Sequence, residues 1–384
     1  MPTNVTYEYI KAEEEYHNAS TDRERMQALE KMLTAVPKHK GTEKLILQIK
    51  RKITKLKKEM EAKEAKKGGG KGFNIRKEGA AQIVLVGQPN AGKSSLLQKL
   101  TNADVEVGNY PFTTVDLIPG MLKTHDIQIQ LVEVPGIIEG VSSGKGMGLQ
   151  LMSSIRTSDA LLIVLDGSNE PARQLRSILF ELDRGGIKIN RRRPDIEVQK
   201  HVTGGIEIVG KGHIEGSVKD VKEIFTDFRI TSGRVVIRED VTLTEIQEAL
   251  EESTAYKRAI VAVTKGDMYA PSLIEELRRE FPRFSFFPVC IYTEQGLDAL
   301  KDEVYVVADI KRVFTKSPGE KPAYPPVALK KGATVLDVAK KVHKSIAKNF
   351  KYAKVWGTSV KFDAQRVGED HVPNDGDTVE IHIK

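Results

Sequence analysis

The stretch Gly87-Gln88-Pro89-Asn90-Ala91-Gly92-Lys93-Ser94-Ser95 has the form G-x-x-x-x-G-K-[ST]. It follows the apolar run 83–86 and precedes the helical apolar pattern of 96–100, which is the strand–loop–helix context that a phosphate-binding loop requires. The glycines of such a loop let successive backbone N–H groups point at a phosphate. Its lysine reaches the β- and γ-phosphates, and the hydroxyl of its first serine binds Mg²⁺. The sequence therefore predicts a nucleoside triphosphate site, with Lys93 on the phosphates and Ser94 on the metal.

Around this loop, strand-like and helical patterns alternate in a way that predicts an α/β fold with a doubly wound parallel sheet. The expected strands are 82–86, 127–134, 160–166, 259–264 and 286–291, and the expected helices are 93–101, 148–157, 171–184, 273–280 and 297–307. The alternation fails over 186–240, which is basic and rich in turns. We interpret that segment as a small α+β subdomain inserted into the nucleotide-binding domain of 80–310.

The two ends of the chain differ from this central domain. The sequence pattern of 1–75 predicts a helical region with a Gly-rich linker at 68–72. Within this region, the helix around 45–60 has an apolar stripe opposite a face that is rich in lysine and arginine. That face is either a solvated surface or an RNA contact. Residues 311–384 predict a small α+β module with an amphipathic helix over 335–347 and a final strand at 379–383. We expect the aromatic side chains Tyr352 and Trp356 to pack in its core rather than form a recognition patch.

Candidate residues for sensing the γ-phosphate follow in the order that a switchable nucleotidase needs. Either Thr113 or Thr114 can place its hydroxyl on Mg²⁺ and its N–H on the γ-phosphate. Glu133 and Gly136 stand where Asp-x-x-Gly is usual, so Glu133 would bond a metal-bound water and Gly136 would touch the γ-phosphate. Ile137 follows, where a glutamine would orient the attacking water, and this predicts slow hydrolysis.

Base recognition is predicted at Thr264-Lys265-Gly266-Asp267, which resembles the guanine signature Asn-Lys-x-Asp. The Asp267 carboxylate can accept from guanine N1–H and the exocyclic amine, and it would be left unpaired by adenine. Lys265 would lie along the base, while Thr264 is expected to make a weaker tether than asparagine. Cys290 and Ile291 align with the end of the guanine pocket, and we interpret Cys290 mainly as a small buried hydrophobe.

Composition limits the remaining possibilities. The chain of 384 residues has a formal net charge of +7 and a single cysteine, which favours a polyanionic partner such as RNA and a reducing compartment. No apolar run approaches the roughly 18 residues of a membrane span, and the N-terminus lacks the pattern of a signal peptide. We therefore expect a cytoplasmic protein with no membrane partner and no DNA specificity.

The chain as a whole resembles the Obg-type GTPases, and most closely the archaeal form of the developmentally regulated GTP-binding protein (DRG) family. Besides the phosphate-binding loop, the resemblance rests on several stretches distributed over nearly the whole sequence. They are 109–114 (NYPFTT), 134–140 (VPGIIEG), 144–148 (GKGMG), 186–190 (GIKIN), 235–240 (VVIRED), 350–357 (FKYAKVWG) and 367–371 (VGEDH).

The resemblance implies a helical N-terminal region, a Ras-like G domain with an inserted subdomain, and a C-terminal β-grasp TGS domain. It also implies Mg²⁺-dependent GTP hydrolysis, often stimulated by K⁺, and association with ribosomes or RNA, with an accessory regulatory protein left open. In the family pattern Thr114 is the second Mg²⁺ ligand. Asn90 either helps to hold K⁺ between the phosphates or only suits the turn.

Two other functions remain open at this stage. An ATPase with altered base recognition would bind ATP in competition with GTP. The Asp267 carboxylate argues against this alternative. An RNA-binding scaffold would bind RNA or ribosomes equally with GDP and with a GTP analogue.

Overall fold

The apolar runs around the phosphate-binding loop form the centre of a mixed α/β architecture. The computed structural model describes residues 6–19, 21–37, 42–66, 75–101, 117–137, 147–251 and 254–384. The α-helices are α1 (Tyr7–Asn18), α2 (Asp22–Ala35), α3 (Glu43–Lys66), α4 (Lys93–Thr101), α5 (Met147–Thr157), α6 (Pro171–Arg184), α7 (Val218–Asp227), α8 (Leu243–Leu250), α9 (Ser272–Glu280), α10 (Leu297–Val307), α11 (Val335–Val342) and α12 (Lys344–Lys348).

Within the described residues, the strands lie in four sheets. They are β1 (Gln82–Gly87), β2 (Ile118–Thr124), β3 (Ile127–Glu133), β4 (Ala160–Asp166), β5 (Ile187–Ile189), β6 (Ile196–Lys200), β7 (Ile206–Val209), β8 (Ile214–Glu215), β9 (Gly233–Ile237), β10 (Val241–Thr242), β11 (Ala255–Thr264), β12 (Phe286–Pro288), β13 (Ile310–Lys316), β14 (Val327–Lys330), β15 (Phe350–Trp356), β16 (Gln365–Val367) and β17 (Thr378–Ile383).

The nucleotide-binding domain is built on strands in the order β12-β11-β4-β1-β3-β2. All neighbours are parallel except β2, which forms an antiparallel hairpin with β3. The expected doubly wound sheet is confirmed, but β2 was not predicted because Pro119 and Gly120 interrupt its strand pattern. Proline is tolerated there because β2 is the edge strand of the sheet. The carboxyl ends of β1, β4 and β11 lie at one edge, where the candidate site residues follow.

The C-terminal module has a five-stranded sheet in the order β14-β13-β17-β15-β16, which is the topology of a β-grasp domain. One face packs on α11 through the fully buried Val335, Val338 and Ala339. The predicted helix over 335–347 is wrong in one respect. The chain becomes extended at His343 (φ −164°, ψ 140°), whose Nδ1 accepts a hydrogen bond from the Ser345 amide and caps a separate short helix, α12.

Tyr352 and Trp356 of β15 differ from the expectation of core packing. Ala353 and Val355 are the fully buried residues of this strand, whereas Tyr352 and Trp356 alternate with them and lie on the opposite face. Tyr352 is stacked on His382 with Arg366 over its ring, and Lys316 lies 3.7 Å from the centroid of Trp356. Each of the two rings is therefore in contact with a basic side chain.

The described residues fall into two compact units, of which the second contains the nucleotide-binding and β-grasp domains. Within that unit the two domains meet at the β2–β3 turn. Tyr324 donates from its hydroxyl to Asp126 Oδ1 at 3.0 Å, and the Arg312 guanidinium lies 3.8 Å from the same carboxylate. Arg312 is held in turn by Asp375, with 2.8 Å between Nη2 and Oδ2.

The first unit contains the N-terminal helices and the inserted segment. Helices α1–α3 share a cluster that includes Tyr9, Leu29, Met32 and Ile49, and the insert has a three-stranded sheet in the order β6-β9-β7. The basic face of α3 is not simply solvated. Arg51 Nε lies 2.9 Å from Asp227 of α7, and Lys50 lies 3.8 Å from Glu248 of α8. These two cations therefore pair with carboxylates of α7 and α8.

Candidate guanine-nucleotide site

The phosphate-binding loop lies between β1 and α4, as the motif predicts. Gly87 is packed so closely that a Cβ there would lie 2.4 Å from the carbonyl oxygen of Val164. Asn90 adopts a left-handed conformation (φ 63°), which asparagine tolerates better than most residues. This geometry supports the interpretation that Asn90 suits the turn.

Lys93 is buried at the start of α4, and its Nζ donates to the carbonyl oxygen of Gln88 at 3.0 Å. Burial lowers the pKa of Lys93, and the nearby Glu133 carboxylate opposes that effect. A phosphate group would supply the negative charge that the buried ammonium lacks within the loop. The side chain is therefore placed to bind a phosphate.

Ser94 and Glu133 come together beside the loop. The exposed Ser94 hydroxyl donates to Glu133 Oε1 at 2.8 Å, whereas Glu133 Oε2 is buried and has no hydrogen-bond partner among the described residues. A hydroxyl and an unsatisfied carboxylate oxygen at the phosphate end of the loop are the hard oxygen donors that suit Mg²⁺ with its bound waters. These residues fit the metal that the fold implies.

The segment after β3 crosses close to the phosphate-binding loop. The amide of Ile137 donates to the Gly87 carbonyl at 2.9 Å, and a Cβ on Gly136 would lie 2.7 Å from both the N and the Cδ of Pro89. Ile137 is buried and offers no polar group for a water. The other predicted sensors, Thr113 and Thr114, lie outside the residues that the structure describes.

Thr264 ends β11 and is fully buried. Its hydroxyl lies 2.9 Å from the carbonyl oxygen of Ala91 in the phosphate-binding loop and 3.0 Å from that of Leu165. Both distances are those of good hydrogen bonds. Threonine at this position therefore connects the base-recognition loop to the phosphate-binding loop.

The remaining base-recognition candidates surround the exposed carboxylate of Asp267. Cys290 is buried, as expected, but its Sγ also donates to Asp267 Oδ1 at 3.4 Å. Ile291 is half-buried beside it. Lys265 has a left-handed backbone (φ 58°), and its Nζ lies 2.5 Å from Asp166 Oδ2.

Asp166 and Tyr269 also border this loop, although no sequence motif indicated a role for either residue. The ring of Tyr269 packs so closely on Gly167 that a Cβ added to Gly167 would lie 2.2 Å from the ring. The Tyr269 hydroxyl donates to the Val263 carbonyl oxygen at 3.0 Å. Burial raises the pKa of Tyr269 to about 12, so the hydroxyl keeps its proton at neutral pH. The available signal for Asp166 was its position at the carboxyl end of the buried strand β4, where side chains of a parallel sheet converge.

Known protein families match three consecutive parts of the chain. The family described as a 50S ribosome-binding GTPase matches residues 82–194, and the C-terminal region of the same domain matches 203–310. The TGS domain matches 311–383. No helix in the described part of the chain is long and apolar enough to cross a membrane.

Several proteins are similar over nearly their whole length. An uncharacterized GTP-binding protein of Methanocaldococcus jannaschii is 36% identical, with 94% of this chain and 93% of the relative covered. Developmentally-regulated G-protein 3 of Arabidopsis thaliana is also 36% identical, covering 94% of this chain and 99% of that protein. Developmentally-regulated GTP-binding protein 1 of Xenopus laevis is 34% identical, covering 93% and 98%.

Proposed function

Because this chain belongs to the developmentally regulated GTP-binding protein family, we propose that it is a slow, Mg²⁺-dependent GTPase that acts as a molecular switch. The observation that carries the proposal is the contact that joins the base-recognition loop to the phosphate-binding loop. The Thr264 hydroxyl at 2.9 Å from the Ala91 carbonyl fixes the base-recognition loop against the phosphate-binding loop. One nucleotide can therefore contact Lys93 and Asp267 together.

The chain's own residues divide the work in this proposal. Lys93 and the amides of the phosphate-binding loop bind the phosphates, and Asp267 selects guanine. Ser94 and Thr114 would hold Mg²⁺, with Glu133 bonding one of its waters. The metal would supply positive charge to the phosphoryl oxygens. Because Ile137 is buried and apolar, the residue after Gly136 cannot orient an attacking water, which agrees with slow intrinsic turnover.

Thr114 and Gly136 would sense the γ-phosphate and thereby control docking to a partner. The net charge of +7 and the description of the matching family as ribosome-binding support a ribosome or another structured RNA as that partner. K⁺ held near Asn90 would add positive charge to the transition state. An accessory regulatory protein would act on the same cycle.

The proposal is tested first by nucleotide competition. We expect GDP to displace a fluorescent guanine nucleotide at concentrations at least about 100-fold below those of ADP, because an unpaired carboxylate penalises adenine by several kcal/mol. Lys93→Met should abolish binding, whereas Lys99→Met, a change on the exposed side of the same helix, should not. Equal competition by ADP would instead favour an ATPase.

The partner is tested by co-sedimentation with ribosomes in K⁺ buffer, comparing GDP with a non-hydrolysable GTP analogue. More binding with the analogue would support a switch. Equal binding in the two states would favour a scaffold whose nucleotide only stabilises the fold, and no binding at all would reject the ribosome.

A further inference from the structure

We propose that Asp166 is a positioning residue for guanine recognition, acting through Lys265. The inference rests on the proposed guanine-nucleotide function and adds a residue to it. It starts from the short contact between the two side chains, 2.5 Å between Lys265 Nζ and Asp166 Oδ2. Asp166 has 13% and Lys265 has 37% of its side chain exposed, so this pair is better shielded from water than an ordinary surface ion pair.

The Asp166 carboxylate is itself fixed before it meets Lys265. Its Oδ1 accepts from the Ser168 amide at 2.9 Å and from the Ser168 hydroxyl at 2.6 Å. Partial burial alone would raise the pKa of Asp166, but the hydrogen bonds from Lys265 and Ser168 outweigh it and lower the pKa. Oδ2 is therefore a charged acceptor with a defined direction.

The backbone of Asp166 is held by the buried side chain of Gln174. Gln174 Oε1 accepts from the Asp166 amide at 3.0 Å, and its Nε2 donates to the Asp166 carbonyl at 3.1 Å. The Gln174 side chain thus forms hydrogen bonds with both backbone polar groups of Asp166, the residue that ends β4. This bracing ties the position of the carboxylate to the core of α6.

Lys265 needs such support because its backbone is in the left-handed region, which is unfavourable for a residue with a side chain. The loop around it is braced on the same side. The Gly167 amide donates to the Thr264 carbonyl at 3.2 Å, and the ring of Tyr269 packs on Gly167. Asp166 thus draws the lysine's head group away from solvent and fixes the direction of its aliphatic stem.

The consequence for recognition follows from where Lys265 lies. Its stem would run along the face of the base that Asp267 selects, and a stem held in one direction loses less conformational entropy on binding. Asp166 would therefore improve affinity for the nucleotide without touching it. Its removal should weaken binding and leave phosphoryl chemistry at Lys93 unchanged.

The test uses Asp166→Asn, which preserves an acceptor for Ser168 but can turn an amide N–H toward the lysine. We expect the Kd for GDP and the KM for GTP to rise about tenfold, the scale of one charge-assisted hydrogen bond, with kcat within about twofold. Glu170→Gln is the matched control. Glu170 lies in the same loop but pairs with Arg173 on the surface, so that variant should resemble the wild type.

A double-mutant cycle distinguishes positioning from general loop damage. In a Lys265→Met background, Asp166→Asn should have little further effect on the Kd for GDP. Additive effects, a fall in kcat at constant KM, or no effect of Asp166→Asn would overturn the inference. Should Asp166→Asn fail to fold, Lys265→Met alone must reproduce the tenfold rise, and a normal Kd would overturn it. A wild-type protein that does not prefer GDP over ADP would instead reject the proposed function.

Discussion

The Thr264 hydroxyl lies between two backbone carbonyls, at 2.9 Å from that of Ala91 and 3.0 Å from that of Leu165. A hydroxyl has one hydrogen, so it can satisfy only one of these acceptors at a time. The site where asparagine is usual is thus filled by a smaller side chain that reaches the same loop. Three elements, β11, β4 and the phosphate-binding loop, meet at this fully buried residue.

Replacing Thr264 with valine should remove the hydroxyl at nearly constant volume. We expect the free energy of unfolding to fall by about 1–3 kcal/mol, because buried carbonyl groups lose their donor, and GDP binding to weaken. Urea unfolding with and without GDP measures both effects. Thr226→Val is the control, since the exposed Thr226 hydroxyl only bonds the carbonyl four residues earlier in α7, and its change should stay within about 0.5 kcal/mol.

Asp267→Asn should change which base is preferred. Guanine presents two donors to the carboxylate, whereas the amide offers a donor that matches the 2-oxo group of xanthine. We expect the Kd for GDP to rise at least about 100-fold while the Kd for xanthosine diphosphate falls. Direct titration with both nucleotides provides the check. An unchanged preference would mean that Asp267 does not contact the base.

Glu133→Gln should separate metal binding from nucleotide binding. The amide can still accept from Ser94 but carries no charge for a Mg²⁺-bound water. We expect the Mg²⁺ concentration for half-maximal GTP hydrolysis to rise about tenfold, with GDP binding in EDTA unaffected. Glu294→Gln, which breaks an exposed pair with Lys99, should not move the Mg²⁺ requirement.

Gly136→Ala should disturb the phosphate-binding loop from outside it. The added Cβ would lie 2.7 Å from the backbone N of Pro89, so the loop must shift. A displacement of this kind should weaken binding of a GTP analogue about tenfold or more. In Gly332→Ala the added Cβ would have no atom within 4 Å, so that variant should bind the GTP analogue normally. Isothermal titration of both variants compares them, and equal affinities would contradict the close packing.

The acid sensitivity of the β-grasp domain should depend on Asp375. Partial burial would raise its pKa, but hydrogen bonds from Arg312 and Tyr305 lower it to about 2. Its folded pKa is therefore below the unfolded value near 3.9, so its stabilisation is present above that value and is lost as pH falls toward 2. We expect about 1 kcal/mol after solvent screening of a side chain that is 39% exposed.

Urea unfolding of wild type and Asp375→Asn at several pH values measures this contribution. The two stabilities should differ most at pH 6 and approach each other as the pH falls from about 4 toward 2. Asp298→Asn, on an almost fully exposed carboxylate, should show no such convergence. A constant difference between wild type and Asp375→Asn would contradict the assignment.

Local motifs and periodicity predicted most of the fold because its central strands are continuous buried runs, as in Ala160–Asp166. They failed where tertiary context decides. Pro119 is compatible with a strand only because β2 is at a sheet edge, and His343 ends a helix that its apolar spacing would continue. The site followed similar rules. Lys93 and Asp267 belong to contiguous motifs, whereas Asp166 and Lys265 are far apart in sequence and meet only through the order of β4 and β11.

The β2–β3 hairpin connects the β-grasp domain to the contact between Glu133 and Ser94. At one end, Asp126 is held by Tyr324 and Arg312; at the other, Glu133 contacts Ser94. The seven residues of β3 between them span about 20 Å of rigid strand. A displacement of the β-grasp domain that moves Asp126 would therefore be transmitted along β3 to the Glu133 carboxylate beside the phosphate-binding loop.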